Sequence, residues 1–261
     1  MPKFAANLTL LFNEVEFLER FALAAKARFM GVEYHFPYRF DKAQLAEQLK
    51  RHNLVQVLYN LPAGDWAGGE RGIGCLPDRR HEFQDGVGQA IEYASALGCR
   101  QINCLAGIAP PGQSEEQLRT TFIANLQFAA GALAKAGIKL LIEPINTRDV
   151  PGFYLRHTNQ ALEIIREVGS SNLYLQYDMY HMQIMEGDLA TTIEANLPRI
   201  AHMQLAQNPG RHEPGTGEID YNFLFGFIDR IGYAGWIGCE YTPATTTDAG
   251  LSWHRRLTSV P

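Results

Sequence analysis

Cysteine is scarce in this chain and unpatterned. The four present, Cys75, Cys99, Cys104 and Cys239, form no CxxC pair and no repeated spacing. That argues against a disulfide framework or a thiolate zinc site, and the thiols read as small buried hydrophobes in a reducing compartment. Excess positive charge is lacking too: 23 Lys and Arg against 28 Asp and Glu leave a net charge of −5. A duplex-binding surface would need a basic stripe, so nucleic acid is not an expected partner. No apolar run is long enough to span a bilayer, and no basic segment followed by a cleavable apolar stretch opens the chain. A soluble, cytoplasmic protein with no membrane partner is the expectation. The glycine motifs of nucleotide-binding folds are absent, since no GxGxxG or GxxxxGK(S/T) follows a strand-like run. Linkers, low-complexity tracts and charge blocks are missing as well, so residues 1–261 are expected to form a single domain.

What the chain does have is alternation. Strand-like runs are predicted at residues 4–10, 31–36, 54–61, 100–105, 138–142, 173–177, 200–203 and 236–239. Helical spacing fills the gaps: Val15, Leu18, Phe21, Ala22 and Ala25 mark a helix at 14–29, and Asp41 caps one reaching about His52. Gly98 closes a helix begun near Asp78, and Ser114-Glu-Glu-Gln opens a long one ending near Gly137. Further helices are predicted at 158–168, 188–195 and 221–231. Short buried strands alternating with helices imply parallel pairing and right-handed crossovers. Eight units favour closure over an open sheet. The fold class is therefore α/β, a (β/α)8 TIM barrel with its core at about 4–241 and a C-terminal segment at 242–261.

Polar residues stand where four of these runs stop. Glu143 follows Ile138-Lys-Leu-Leu-Ile142, Asp178 follows Leu173-Tyr-Leu-Gln-Tyr177, Gln204 follows Ile200-Ala-His-Met203, and Glu240 follows Trp236-Ile-Gly-Cys239. The intervals between them are 35, 26 and 36 residues, each about one strand–helix unit. In a barrel the C-terminal ends of all strands meet on one rim, where chemistry is built. Taken singly, each has an ordinary reading: Glu143 and Glu240 as strand-end caps, Asp178 as the N-cap of a short helix, Gln204 as a partner for backbone groups. Four on successive strands point to one shared site, and three carboxylates with a carboxamide repel one another unless a cation joins them. Oxygen-only donors suit a hard divalent ion, Mg2+ or Mn2+, better than a structural zinc. Glu143, Asp178, Gln204 and Glu240 are the expected metal ligands.

Candidate substrate contacts surround them. His181 lies three residues after Asp178, within reach of the metal's neighbourhood. Arg211 and His212 sit in the loop ending Pro214-Gly-Thr-Gly217, and Glu70 and Arg71 in the glycine-rich loop after the third strand. A packed histidine or a solvated loop charge is the plain alternative for each. The functional reading is a loop-borne cation facing an anionic or hydroxylated ligand. Asn7 on the first strand, with Glu33 and His35 on the second, could line the same pocket.

Longer motifs carry a resemblance. They are Asn60-Leu-Pro-Ala-Gly-Asp-Trp66 continuing to Gly69-Glu-Arg-Gly-Ile73, Ile102-Asn-Cys-Leu105, Glu143-Pro-Ile-Asn146, Gln176-Tyr-Asp-Met-Tyr-His-Met-Gln183, Glu213-Pro-Gly-Thr-Gly-Glu-Ile219 and Gly235-Trp-Ile-Gly-Cys-Glu-Tyr241. Over about residues 4–253 the chain resembles the hydroxypyruvate isomerase family, within a xylose-isomerase-like TIM-barrel superfamily that also holds sugar epimerases and 2-oxo-tetronate isomerases. The resemblance implies that Glu143 and Glu240 are an acid/base pair and that both hold the metal with Asp178 and Gln204. It implies interconversion of hydroxypyruvate and 2-hydroxy-3-oxopropanoate, a small hydroxy/oxo-acid pair, through an enediol. Two departures bear on the pocket rim: Thr242 stands where a lysine is expected, and Arg211-His212 alters the loop before Glu213-Pro214. The alternatives on the same site are a 2-oxo-tetronate isomerase and a ketose 3-epimerase. A metal-dependent phosphodiesterase is more remote, since it needs more histidine ligands and a basic face. Retention of both glutamates argues against a barrel that only binds ligand. The long loops are compatible with a homo-oligomer.

Overall fold

The computed structural model describes residues 2–258, so residues 1 and 259–261, the ends of the expected domain, lie outside the described residues. Eight strands are present: β1 (Lys3–Asn7), β2 (Gly31–Glu33), β3 (Val55–Leu58), β4 (Gln101–Cys104), β5 (Lys139–Ile142), β6 (Leu173–Asp178), β7 (Ile200–Leu205) and β8 (Trp236–Cys239). They pair in parallel in the order β3-β2-β1-β8-β7-β6-β5-β4. The two ends of that order meet through a parallel bridge between Asn60 and Asn103. There Leu61 N–H donates to the Asn103 carbonyl at 2.8 Å, and Asn103 N–H to the Tyr59 carbonyl at 3.0 Å. The sheet is a (β/α)8 barrel, as the alternation predicts.

The crossover helices are α1 (Arg20–Lys26), α2 (Lys42–Arg51), α3 (Arg80–Leu97), α4 (Glu115–Lys135), α5 (Thr158–Val168), α6 (Met179–Met185), α7 (Leu189–Asn196) and α8 (Tyr221–Arg230), followed by α9 (Thr247–Gly250) and α10 (Ser252–Thr258). Local chemistry sets their ends. The Asp41 carboxylate accepts from the N–H groups of Ala43 and Gln44 at the start of α2, and Ser114 and Gln117 cap α4 reciprocally. Gly98 (φ 66°) ends α3 in the left-handed conformation that a side chain resists. On α5, Ala161, Ile164, Ile165 and Val168 form the buried stripe facing the sheet.

Inside the barrel, Ala5 and Leu141 stand two residues before Asn7 and Glu143, on the same inner face of their strands. With Val57 and Leu58 they form a small apolar cluster separate from the main core. Of this cluster only Leu58 lines the cavity at the rim.

The predicted elements differ in places, the second strand, for one, ending at Glu33 and not at 36. The strand at 4–10 stops at Asn7; residues 8–12 continue as turns in which Leu8, Leu11 and Phe12 are buried, so their hydrophobicity serves packing and not pairing. The helix at 14–29 is a 3-10 turn, Phe17–Glu19, followed by the shorter α1. Helix α6 is the short helix that Asp178 caps in its plain reading, although spacing alone does not mark it, since four of its seven residues are buried and it shows no polar face to set a period; α9 and α10 have no predicted counterpart. Among the described residues no helix is long and apolar enough to cross a membrane.

Helix α10 packs on the outside of β1 through an aromatic cluster that makes acid stability predictable. The His254 ring stacks on Phe29 with centroids 4.2 Å apart and meets Phe4 edge-on. Burial, then the nearby Arg255, push its pKa from the ordinary 6.5 down to about 4. Below pH 6.5 the unfolded chain binds a proton that the folded chain refuses, so this site increasingly opposes folding as pH falls, with the full effect below about 4. Between pH 7 and 4.5 the wild type should lose roughly 2–3 kcal/mol more stability than His254→Phe, from 1.36 kcal/mol per pKa unit. Denaturant melts at the two pH values check this, and parallel losses in both proteins would remove His254 as the cause.

Candidate active site

Glu143, Asp178, Gln204 and Glu240 stand at the C-terminal ends of β5 to β8, with 4%, 0%, 2% and 6% of their surface exposed. Pairing sets Asp178 beside Gln204, and Gln204 beside Gly238, two residues before Glu240. A cavity of about 120 Å³ opens on this rim, lined by Asn7, Glu143, His181, Gln204, Arg211 and Glu240, and by His35, Trp66 and Arg71. Asp178 does double duty. It ends β6 and caps α6, its Oδ1 accepting from Tyr180 N–H at 2.8 Å. Its Oδ2 is buried and has no hydrogen-bond donor among the described residues.

The two glutamates feel opposite fields. Burial raises the Glu143 carboxyl well above its usual range, and the neighbouring Glu240 and Asp178 charges raise it further. Burial would raise Glu240 too. Arg211, whose guanidinium donates to Oε2 at 2.6 Å, and His35, 2.7 Å from Oε1, outweigh it and hold Glu240 at about 2. Asp178 is pushed up to about 7 by burial, against the opposing pull of Arg211. His181 is pushed down to about 3 by burial and then by Arg211, which keeps the ring neutral. Its tautomer follows from its neighbours. Asn146 Oδ1 accepts from Asp149 N–H, so its amide N–H2 faces His181 Nδ1 at 2.7 Å and leaves the ring proton on Nε2. That Nε2 lies 3.5 Å from Asp178 Oδ2 and 3.9 Å from Glu143 Oε1, a donor directed into the site.

These residues fit a cation. Glu143, Asp178 and His181 offer ligand atoms within 4.8 Å of one another. Two buried carboxyls driven toward protonation, one with an oxygen that nothing else satisfies, are the environment a hard divalent ion relieves.

The loop residues divide. Arg71 lies over the Trp66 ring at 4.3 Å and donates from one guanidinium nitrogen to the Trp66 and Glu70 carbonyls. It has no acidic partner among the described residues. Arg211 sits at φ 54°, a strained backbone for a side chain, and is committed to Glu240 and Asp178 (3.7 Å). Glu70 does not line the cavity. It binds Arg79 at 2.7 Å and accepts from Asp65 N–H, fastening the loop that carries Arg71. His212 does not line it either, its Nδ1 lying 2.8 Å from the Thr242 carbonyl. The two altered positions of the rim thus meet through the main chain of residue 242, which also donates its N–H to the Arg211 carbonyl.

Inside the barrel lies a polar layer that strand-end spacing reveals only in part. Asn103 donates to Glu143 Oε2 at 2.9 Å, and Gln176 to Gln204 Oε1 at 2.6 Å. Glu33, wholly buried, accepts from Asn7, Gln204 and His202. Gln101, Asn103, Gln176 and His202 are the members that sequence reasoning misses. The signal is present in the sequence: Gln101/Asn103, Gln176/Asp178 and His202/Gln204 are polar pairs two apart, which in a strand share one face.

Residues 21–257 match the family described as xylose isomerase-like TIM barrel. The chain belongs to that family. It is 54% identical over 253 residues to the hydroxypyruvate isomerase of Escherichia coli (strain K12), covering 97% of this chain and 98% of that one. It is 47% identical to the 2-oxo-tetronate isomerase of Cupriavidus necator, covering 97% of each. A solved structure named AP endonuclease, family 2, from Brucella melitensis superposes with a TM-score of 0.96 at 48% identity, covering 98% of this chain and 99% of that one. Full-length identity at these levels makes this family member an isomerase.

Proposed function

We propose that the chain interconverts hydroxypyruvate and 2-hydroxy-3-oxopropanoate through an enediol, assisted by Mg2+ or Mn2+. The observation carrying this reading is the pair of buried glutamates facing one cavity, Glu143 held by Asn103 and Glu240 by Arg211 and His35. Two carboxyls on one small cavity can take a proton from one carbon and return it to its neighbour. Glu240, kept ionised by Arg211 and His35, takes a proton from the hydroxymethyl carbon. Glu143 returns one to the adjacent carbon, while the hydroxyl proton passes from one oxygen to the other, so the carbonyl and hydroxyl exchange places. His181 Nε2–H donates to a substrate oxygen. Glu143, Asp178, Gln204 and Glu240 would hold the cation, which when bound supplies Lewis-acid stabilisation of the developing negative charge.

Substrate charge decides among the readings. An acidic rim needs a cation for a carboxylate, and Arg71, held only by carbonyls and the Trp66 face, is the arginine with charge to spare. Arg71→Ala should weaken hydroxypyruvate binding by about 1.5–3 kcal/mol, the range for a charge-assisted hydrogen bond, seen as a raised KM. A neutral ketose of similar size should be little affected. If Arg71→Ala and Arg211→Ala both leave that KM unchanged and neutral ketoses react better, a ketose 3-epimerase takes its place.

Relatives named 2-oxo-tetronate isomerase at 47%, 44% and 41% identity support a second reading, a four-carbon acid on the same machinery. Comparing kcat/KM for the two acids separates them. Phosphodiester hydrolysis, suggested by the name of the Brucella protein, gains no support from the site: among the described residues there is one group of metal-ligating side chains and not a multi-metal set.

A further inference from the structure

Among the described residues Glu33 pairs with no lysine or arginine, yet the fold makes special room for it. Its side chain is wholly buried, and a Cβ on Gly238 of β8 would fall 2.3 Å from both of its carboxylate oxygens. Any residue but glycine there would displace it. Three donors converge on it: Asn7 Nδ2 at 3.0 Å and Gln204 Nε2 at 2.8 Å on Oε1, and His202 Nε2 at 2.7 Å on Oε2.

An amide has two ends, and only its oxygen can bind a cation. The network decides which end of Gln204 faces the rim. Asn7 Oδ1 accepts from Thr9 N–H, which turns the Asn7 N–H2 toward Glu33. Gln101 Nε2 lies 3.2 Å from His202 Nδ1 and donates to it, which leaves the ring proton of His202 on Nε2, toward Glu33. Glu33 therefore meets donors from two sides and acts as an acceptor. The third neighbour, Gln204, satisfies it with its N–H2. Gln204 Oε1 is then left accepting from Gln176 Nε2 at 2.6 Å, and both amides line the cavity with Glu143. Asn7 extends the same network to Glu240 Oε1 at 3.3 Å.

We infer that Glu33 is a positioning residue that fixes the Gln204 carboxamide with its oxygen toward the carboxylate cluster, making it a competent metal ligand. This rests on the metal-assisted reading above. Replacing the carboxylate by an amide lets either end of Gln204 face inward, and half of those arrangements present N–H2 to the cation.

The test is Mn2+ binding to the purified protein, read by electron paramagnetic resonance of free Mn2+ and by calorimetry, with no substrate present. Glu33→Gln should weaken Mn2+ binding about ten-fold or more, the range for residues that orient a metal ligand. The double variant Glu33→Gln/Gln204→Glu should recover most of that loss, because a carboxylate offers oxygen at either end. Gly238→Ala, which keeps every donor and only displaces Glu33, should weaken Mn2+ as well, and it stands in should Glu33→Gln not fold. Folded Glu33→Gln binding Mn2+ within about three-fold of wild type overturns the inference and leaves the metal reading intact. A double variant no tighter than Glu33→Gln also overturns it, because the loss then does not run through Gln204. Wild type that binds no Mn2+ overturns the metal reading itself, and this one with it.

Discussion

Exhaustive chelation should abolish isomerisation of hydroxypyruvate, and Mg2+ or Mn2+ should restore it. The expectation follows from the proposed donor set. Glu143, Asp178, Gln204 and Glu240 offer only oxygen, and all four are buried. Arg211 lies close to Glu240 and Asp178 but leaves Asp178 Oδ2 without a hydrogen-bond donor, and both Glu143 and Asp178 are driven upward by burial. One guanidinium is too little positive charge for three buried carboxylates. The reaction adds to the deficit, since an enediol route places further negative charge on substrate oxygens in the same acidic cavity. Without a divalent ion the rim should repel that charge and the barrier should rise beyond measurable turnover. The decisive control is a preparation shown metal-free by elemental analysis. Full activity there would leave the carboxylate pair working alone, and the four strand-end residues would need another explanation.

The strand-end set is legible because the barrel converts a one-dimensional interval into a shared rim. Residues 35, 26 and 36 apart have no reason to meet except that each interval is one strand–helix unit. The layer beneath is harder to read. Gln101, Asn103, Gln176 and His202 alternate with Ile102, Tyr177 and Met203 inside runs that look continuously buried, since both faces of a barrel strand are covered. Glu33 is visible as a pocket candidate, but its tie to Gln204 and the space left by Gly238 depend on β8 lying within reach of β2 across the interior. Arg71 and Arg211 are both legible as loop cations. Which one is spoken for depends on loop geometry: Arg211 at φ 54° is bent back onto Glu240, while Arg71 is propped on Trp66. Spacing carries no signal for either. The first strand reads too long for a related reason, since Leu8, Leu11 and Phe12 are apolar for packing outside any strand.

Glu240→Gln should lower turnover by about two orders of magnitude or more, the usual contribution of a positioned general base, while the protein stays folded and still binds substrate. The amide keeps the size of the side chain and an oxygen donor for the cation, so ligand geometry is the least disturbed feature. What disappears is the proton acceptor. His35 and Arg211, now at 2.7 and 2.6 Å from the two carboxylate oxygens, can still meet the carbonyl end, although one of them must face N–H2. Arg211 loses its strongest anionic partner in the same change and becomes freer to meet a substrate carboxylate, so KM should fall or stay level while kcat collapses. That split distinguishes a base from a structural strand-end residue, whose loss would lower stability and affect both constants through misfolding. Glu143→Gln gives the complementary measurement. If the two glutamates act on opposite ends of one proton transfer, the double variant should be scarcely slower than the worse single variant, as groups working as a unit are non-additive. Near-normal turnover in Glu240→Gln would move the proton transfer to another group, and the assignment of Glu240 as base would fall with it.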